Sequence, residues 1–215
     1  MRRLVIETAT EALSLALFED GVLLDSYDAV IGRGHAEQLV PRIAELPDGG
    51  RADEIHVDLG PGSFTGVRIG IAAARALAIA WGAEVLGFET SSLVAATARA
   101  LDRDLAGQAL LVVMEGGHGE WLATPIAPTA TPAATRSLLP AEAIAFDHEV
   151  VVGSRATEFV ALRGSGRACP LHPSARYADM IDGMLLGTKL APLYARAPDA
   201  TPMAKPTLGH EGPSA

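Results

Sequence analysis

The chain has 215 residues, 49% hydrophobic and 20% charged, enough for one large domain or two of about 100 residues each. Its 26 acidic residues against 17 basic ones leave a net charge of −9 with no basic block, which argues against a principal nucleic-acid binder. Cys169 stands alone and excludes an internal disulfide, no run of about 18 uninterrupted apolar residues suggests a membrane span, and the apolar run at 4–6 is too short for a signal peptide, so a cytoplasmic protein is expected.

In chain order, residues 4–6 read as a buried strand, 7–10 as a turn, and 13–18 as a second strand. Asp20-Gly21 supplies the positive φ angles of a hairpin, and a third strand follows over 22–27. Leu39, Val40, Ile43 and Leu46 recur at helical spacing over 34–46, although Pro41 would end or kink a helix there unless it lay near the first turn. Residues 47–50 read as a loop, 55–59 and 84–88 as strands, and 91–101 as a helix capped by Ser91 or Ser92. The second half repeats the theme of an apolar strand closed by a carboxylate: 109–115 ends on Glu115, a glycine turn follows at 116–119, and 120–126 returns as a hairpin. Pro125, Pro128 and Pro132 suggest irregular or edge structure. A strand is expected at 149–154, a last helix over 174–190, and a disordered tail from Asp199. The expected units are 1–103, 104–198 and the tail 199–215.

The chain is organised around Gly60-Pro61-Gly62-Ser63-Phe64-Thr65-Gly66-Val67-Arg68-Ile69-Gly70, set between a strand and the alanine-rich helix that runs to Trp81. Such a turn at a helix N-terminus is either a phosphate cradle, an ordered interface turn, or a tight strand-to-helix connection. It matches neither common nucleotide signature, since no Lys follows Gly66 and Thr65 stands where a dinucleotide motif needs glycine. Between Val67 and Trp81 the only charges are Arg68 and Arg75, so the helix is expected to be covered on more than one side, by its own domain or by a partner helix.

The six histidines show no H-x-x-x-H or H-E-x-x-H spacing and Ser63 lies outside a nucleophile elbow, so no metal motif and no catalytic constellation emerges. Glu7 and Glu115, each at a strand end, are candidates to flank a cleft, against the plainer reading of solvated or capping acids.

Residues 6–12, His35 ahead of Leu39-Val40-Pro41, and above all 60–70 resemble the TsaB (YeaZ) family, bacterial subunits of the machinery that makes threonylcarbamoyladenosine beside the anticodon of tRNAs. The resemblance is strong over the first 100 residues or so and thinner beyond, where it rests on 115–121 and on Pro192-Leu193-Tyr194-Ala195-Arg196. It implies an α/β, actin-like and sugar-kinase-like fold of two related βββαβα halves. It also implies a non-catalytic scaffold that pairs with a TsaD-like catalytic paralogue, joined by a TsaE-like ATPase, that forms a homodimer when alone, that meets tRNA only through the complex, and that has no resident cofactor, with ATP or ADP at most at the complex interface. The residues carried into that pairing are His35, Leu39, Ile43, Val67, Ile71, Ala74 and Ala78, and the family turn is carried by Gly60, Pro61, Gly62, Ser63, Thr65, Gly66 and Arg68. Glu7, Thr8, Thr10 and Glu115 are candidates for a vestigial nucleotide site. Glu7 stands where the family commonly has Asp, and Glu115-Gly116-Gly117 replaces an aspartate and an arginine-containing turn. The extra methylene moves each carboxylate by ~1.5 Å, which points away from the hydrated magnesium of actin-like ATPases. The alternative reading is an independent actin-like ATPase or phosphotransferase; a metallopeptidase is disfavoured by the absent histidine pair.

Overall fold

A computed structural model describes residues 1–181 and 187–195; the expected tail, Arg196 and part of the expected last helix lie outside the described residues. The chain opens with an antiparallel meander of β1 (Arg2–Glu7), β2 (Ala12–Glu19) and β3 (Val22–Val30). Asp20 and Gly21 both take positive φ, 49° and 79°, as the hairpin requires. Then follow α1 (His35–Glu45), β4 (Glu54–Asp58), α2 (Phe64–Trp81), β5 (Glu84–Phe88) and α3 (Thr90–Leu101). The first sheet has the order β3-β2-β1-β4-β5, with β4 and β5 parallel to β1.

The second sheet repeats this plan. It contains β6 (Leu110–Gly117), β7 (Glu120–Ile126), β8 (Arg136–Leu138), β9 (Val150–Val152) and β10 (Arg167–Cys169), with α4 (Pro140–Ala143) and α5 (Ala156–Arg163) in the crossovers. Its order, β8-β7-β6-β9-β10, has the same antiparallel and parallel neighbours. The chain has the two-half actin-like, sugar-kinase-like α/β fold.

The most apolar stripe of each early helix faces the first sheet: Leu39 and Ile43 of α1 and Val67, Ile71 and Ala74 of α2 pack with Leu4, Ile6, Leu15 and Val57. Burying each such Leu or Ile removes enough surface from water to contribute about 2 kcal/mol. By length and composition alone α2 could cross a bilayer, but this core-facing stripe seats it on β4 and β1. α3 joins the halves, because Leu93 packs with Val5 and Phe18 of the first sheet whereas Val94, Ala95 and Ala98 pack with Leu110, Val112 and Val152 of the second.

Four local expectations change. α1 runs through Pro41, which sits on the exposed side, so the helix tolerates the missing N–H there. α2 begins at Phe64, one turn after the cis Gly60–Pro61 bond, so much of the glycine stretch is helix rather than turn. β7 continues through Pro125. In the described part of the segment read as a last helix there is a 3-10 stretch, Ala175–Met180, followed by extended backbone at Ile181. Parts of the chain placed in the second half by sequence order pack against the first: Ala175 and Ala178 bury against Phe18 and Leu93, and the Leu193 amide donates to the Leu59 carbonyl at 2.7 Å.

Candidate functional site

Two turns, 8–10 after β1 and 59–63 after β4, lie side by side at the C-terminal ends of parallel strands, where α/β folds place ligand crevices. The glycines let them touch. A Cβ on Gly62 would run into the Ala9 carbonyl, and one on Gly66 into the Thr8 carbonyl. The contact is closed by hydrogen bonds: the Ser63 amide donates to Ala9 O at 2.6 Å, and Thr8 Oγ1 donates to Gly66 O at 2.8 Å. Ser63 Oγ caps α2 by accepting from the Gly66 amide at 3.1 Å. The donors a phosphate would need at Gly60, Ser63 and Gly66 are therefore already engaged by protein oxygens. The turn packs strand ends against a helix.

Between the halves lies a cleft of about 790 Å³. Ala9, Thr10, Pro61, Gly62 and Phe64 form one wall, and Glu115, Gly116, Gly117 and His118 the other. At its mouth the Phe64 and Tyr194 rings stack with centroids 5.7 Å apart, and the Arg68 guanidinium lies over the Phe64 ring. This aromatic and cationic cluster was not singled out from the sequence. Arg68 was named there as part of the family turn, but its stacking with a Phe of that turn and a Tyr of the closing segment was not.

The vestigial-site candidates separate. Thr10 and Glu115 line the cleft; Glu7 and Thr8 do not, both being fully buried. Glu7 Oε1 accepts from the Ala9 amide at 2.8 Å, the Thr10 amide at 3.0 Å and Thr10 Oγ1 at 3.2 Å, so the carboxylate caps its own turn. Glu115 is tied to Arg155, whose guanidinium nitrogens stand 2.6 and 2.8 Å from Oε2, and its Oε1 accepts from the Gly117 amide at 3.2 Å. Glu7 is thus closed off from the cleft, whereas Glu115 flanks it with its carboxylate held by Arg155.

Asp58 was missed, although it closes an apolar strand just as Glu7 and Glu115 do. Its Oδ1 accepts from the Gly60 amide at 2.6 Å and from Thr90 Oγ1 at 2.8 Å. Burial pushes this carboxyl up to about 7. Burial, and then the charge of Asp58, hold the Glu7 carboxyl well above the usual carboxylate range.

The residues assigned to pairing require correction. His35, Leu39, Ile43, Val67, Ile71 and Ala74 are buried within the chain itself, and Ala78 is half-buried. His35 Nε2 lies 2.9 Å from the Ala12 carbonyl, fixing the start of α1. What faces outward is the next stripe round: Ala36, Val40 and Ala44 on α1, and Ala72, Ala76 and Ile79 on α2, with Val40 54% and Ile79 86% exposed. Arg68, Thr65 and Ser63 of the family turn are exposed, whereas Pro61 and Gly66 are buried.

The model of the TsaD family, tRNA N6-adenosine threonylcarbamoyltransferase, matches residues 29–144. The tRNA threonylcarbamoyladenosine biosynthesis protein TsaB of Escherichia coli is 38% identical over 95 residues, 42% of this chain and 41% of that protein. The chain thus spans less than half the length of that relative. An uncharacterised protein of Mycobacterium tuberculosis is 33% identical over 94% of both chains. YeaZ from Pseudomonas aeruginosa superposes with a TM-score of 0.72 at 26% identity, covering 90% of this chain and 99% of that one.

Proposed function

The chain belongs to the TsaD family whose model it matches and, within it, to the TsaB (YeaZ) branch, and on that footing we propose that it is a non-catalytic subunit of the tRNA threonylcarbamoyladenosine machinery, pairing with a TsaD-like catalytic paralogue. One observation carries the pairing. α1 and α2 contact each other, and each leaves small apolar residues exposed, Ala36, Val40 and Ala44 on one and Ala72, Ala76 and Ile79 on the other, which suits close helix-on-helix packing. In the absence of the paralogue the same face pairs two copies of this chain. Support for the non-catalytic role comes from Glu7 and Glu115, both held by the protein's own donors. A TsaE-like ATPase joins the pair, ATP or ADP enters only at the complex interface, tRNA is met only through the complex, and the site of action is the cytoplasm.

The test is co-purification of the Ile79→Glu and Ala76→Glu variants with the TsaD-like paralogue. Both positions are exposed in the single chain, so the melting temperature measured where the chain is too dilute to pair with itself is expected to stay put while the complex is lost. Undiminished complex formation by both variants would refute this interface. Calorimetric titration of the isolated chain with Mg-ATP is expected to give no heat; saturable binding with hydrolysis would favour the independent ATPase instead.

A further inference from the structure

Glu7 and Asp58 end neighbouring parallel strands. β1 and β4 are in register up to Ile6 and Val57, so the next residues of each strand, the two acids, are adjacent across about 4.8 Å of sheet. Both side chains are fully buried. Each uses one oxygen to cap its turn and has a second, Oε2 of Glu7 and Oδ2 of Asp58, that is buried and without a partner among the described residues. Two ionised carboxylates so placed would repel each other in a medium that solvates neither, whereas one proton between the two idle oxygens satisfies both.

Among the described residues, the surroundings supply no cation to replace that proton. Ser14 of β2, opposite Glu7, donates its hydroxyl to Asp28 and accepts the Ala175 amide. On the same face of β4, His56 pairs with Glu54 at 2.6 Å, and burial holds its ring below the usual histidine range. On β1, Arg3 is paired with Asp179 of the 3-10 stretch, and Arg176 of that stretch is turned to Asp28 and Ser26. α3 contributes the Thr90 hydroxyl, and Glu89 before it adds another acid near Asp58.

We propose that Glu7 and Asp58 share a single proton and act as a latch, which ties the turn after β1 to the glycine turn that opens α2 and loosens when the proton is lost. Each carboxyl anchors one of these turns: Glu7 holds the Ala9 and Thr10 amides, and Asp58 holds the Gly60 amide. The contact between them, Ser63 amide to Ala9 carbonyl, lies on the cleft wall. When both acids are charged, the two anchors repel and the contact opens. In acid the pair holds two protons; the first leaves near 7, from Asp58, and the one that remains is the shared proton, held chiefly by Glu7. Both carboxyls are raised above their unfolded values, so the folded state binds more protons than the unfolded chain. Their stabilising effect is complete below the unfolded values near 4 and is lost as pH rises through 7 and beyond.

The experiment follows the carboxyl carbons by ¹³C NMR, and amide protection factors at Ala9, Thr10 and Gly60, in the full chain and in the Asp58→Asn variant. In the wild type, the Glu7 carboxyl is expected to stay protonated at about pH 7, and protection of the three amides to fall only as pH is raised beyond 7 and that last proton is lost. Asparagine keeps the acceptor for Gly60 and Thr90 and can donate to Glu7. In that variant, Glu7 is therefore expected to titrate at lower pH and protection to stay level. Should Asp58→Asn fail to fold, Glu7→Gln gives the mirror test, with Asp58 titrating below its wild-type midpoint. Both wild-type carboxyls ionising below about pH 5, or protection that is the same at every pH, would overturn the latch.

Discussion

A Cβ at Gly66 has no room, because the Thr8 carbonyl lies where it would go and backbone cannot swing aside as a side chain can. Gly66→Ala is accordingly expected to lower stability by on the order of 3 kcal/mol in chemical denaturation. Gly187, with nothing within 4 Å of its added Cβ and no positive φ, provides the control: Gly187→Ala should change stability by less than about 0.5 kcal/mol. An equal effect at both would mean that the close approach of α2 to β1 is not what requires glycine in this motif. The half-exposed pair of Glu115 and Arg155 marks the opposite limit, since solvent screens it; Arg155→Met should lower stability by less than about 1 kcal/mol. The sequence displayed these glycines plainly but not their partner. Strand-turn-helix spacing is the same whether glycines cradle a phosphate or admit a neighbouring carbonyl, and only the fold brings residues 8 and 66 together.

At the scale of the helices, the sequence revealed a periodic apolar stripe on α1 and α2 but not which way it pointed. Leu39, Ile43, Val67 and Ile71 were assigned to a partner, yet the largest apolar side chains bury the most surface and so turn toward the sheet. The weaker stripe of alanines with Val40 and Ile79 remains outside. The two stripes can be told apart by experiment. Ile71→Ala should destabilise the monomer by about 3 kcal/mol through the cavity it leaves, whereas Ala76→Glu should leave the monomer within about 0.5 kcal/mol of wild type. The hairpin at Asp20-Gly21 and the strands were legible because their signals are local. The segment 174–190 misled for the complementary reason: its apolar residues have helical spacing, but Ala175 and Ala178 are drawn onto the first sheet, and the described part of the segment winds no further than a 3-10 stretch.

For the whole molecule, the question is whether two sheets built to one plan melt as two units or as one. The repeat in strand order suggests independence, but the packing opposes it. α3 places Leu93 in the first core and Val94, Ala95 and Ala98 in the second, so neither core can open without stripping a helix from the other. The return of Ala175, Ala178 and Leu193 to the first sheet adds a second tie, because these residues follow β10 in the chain and meet Phe18, Leu93 and Leu59. Sharing buried apolar surface between units makes their unfolding cooperative, since separating them exposes that surface with no compensating gain in chain entropy from the half that stays folded. The two tryptophans are placed to report on this, Trp81 at the end of α2 against the first core and Trp121 in β7 within the second. Unfolding followed by fluorescence in Trp81→Phe, which reports Trp121, and in Trp121→Phe, which reports Trp81, is expected to agree with calorimetry on each variant and to show one transition in each. Each variant is its own reference, so any loss of stability from the substitution cancels. Two resolved transitions in either variant would mean that α3 and the returning segment do not unite the halves.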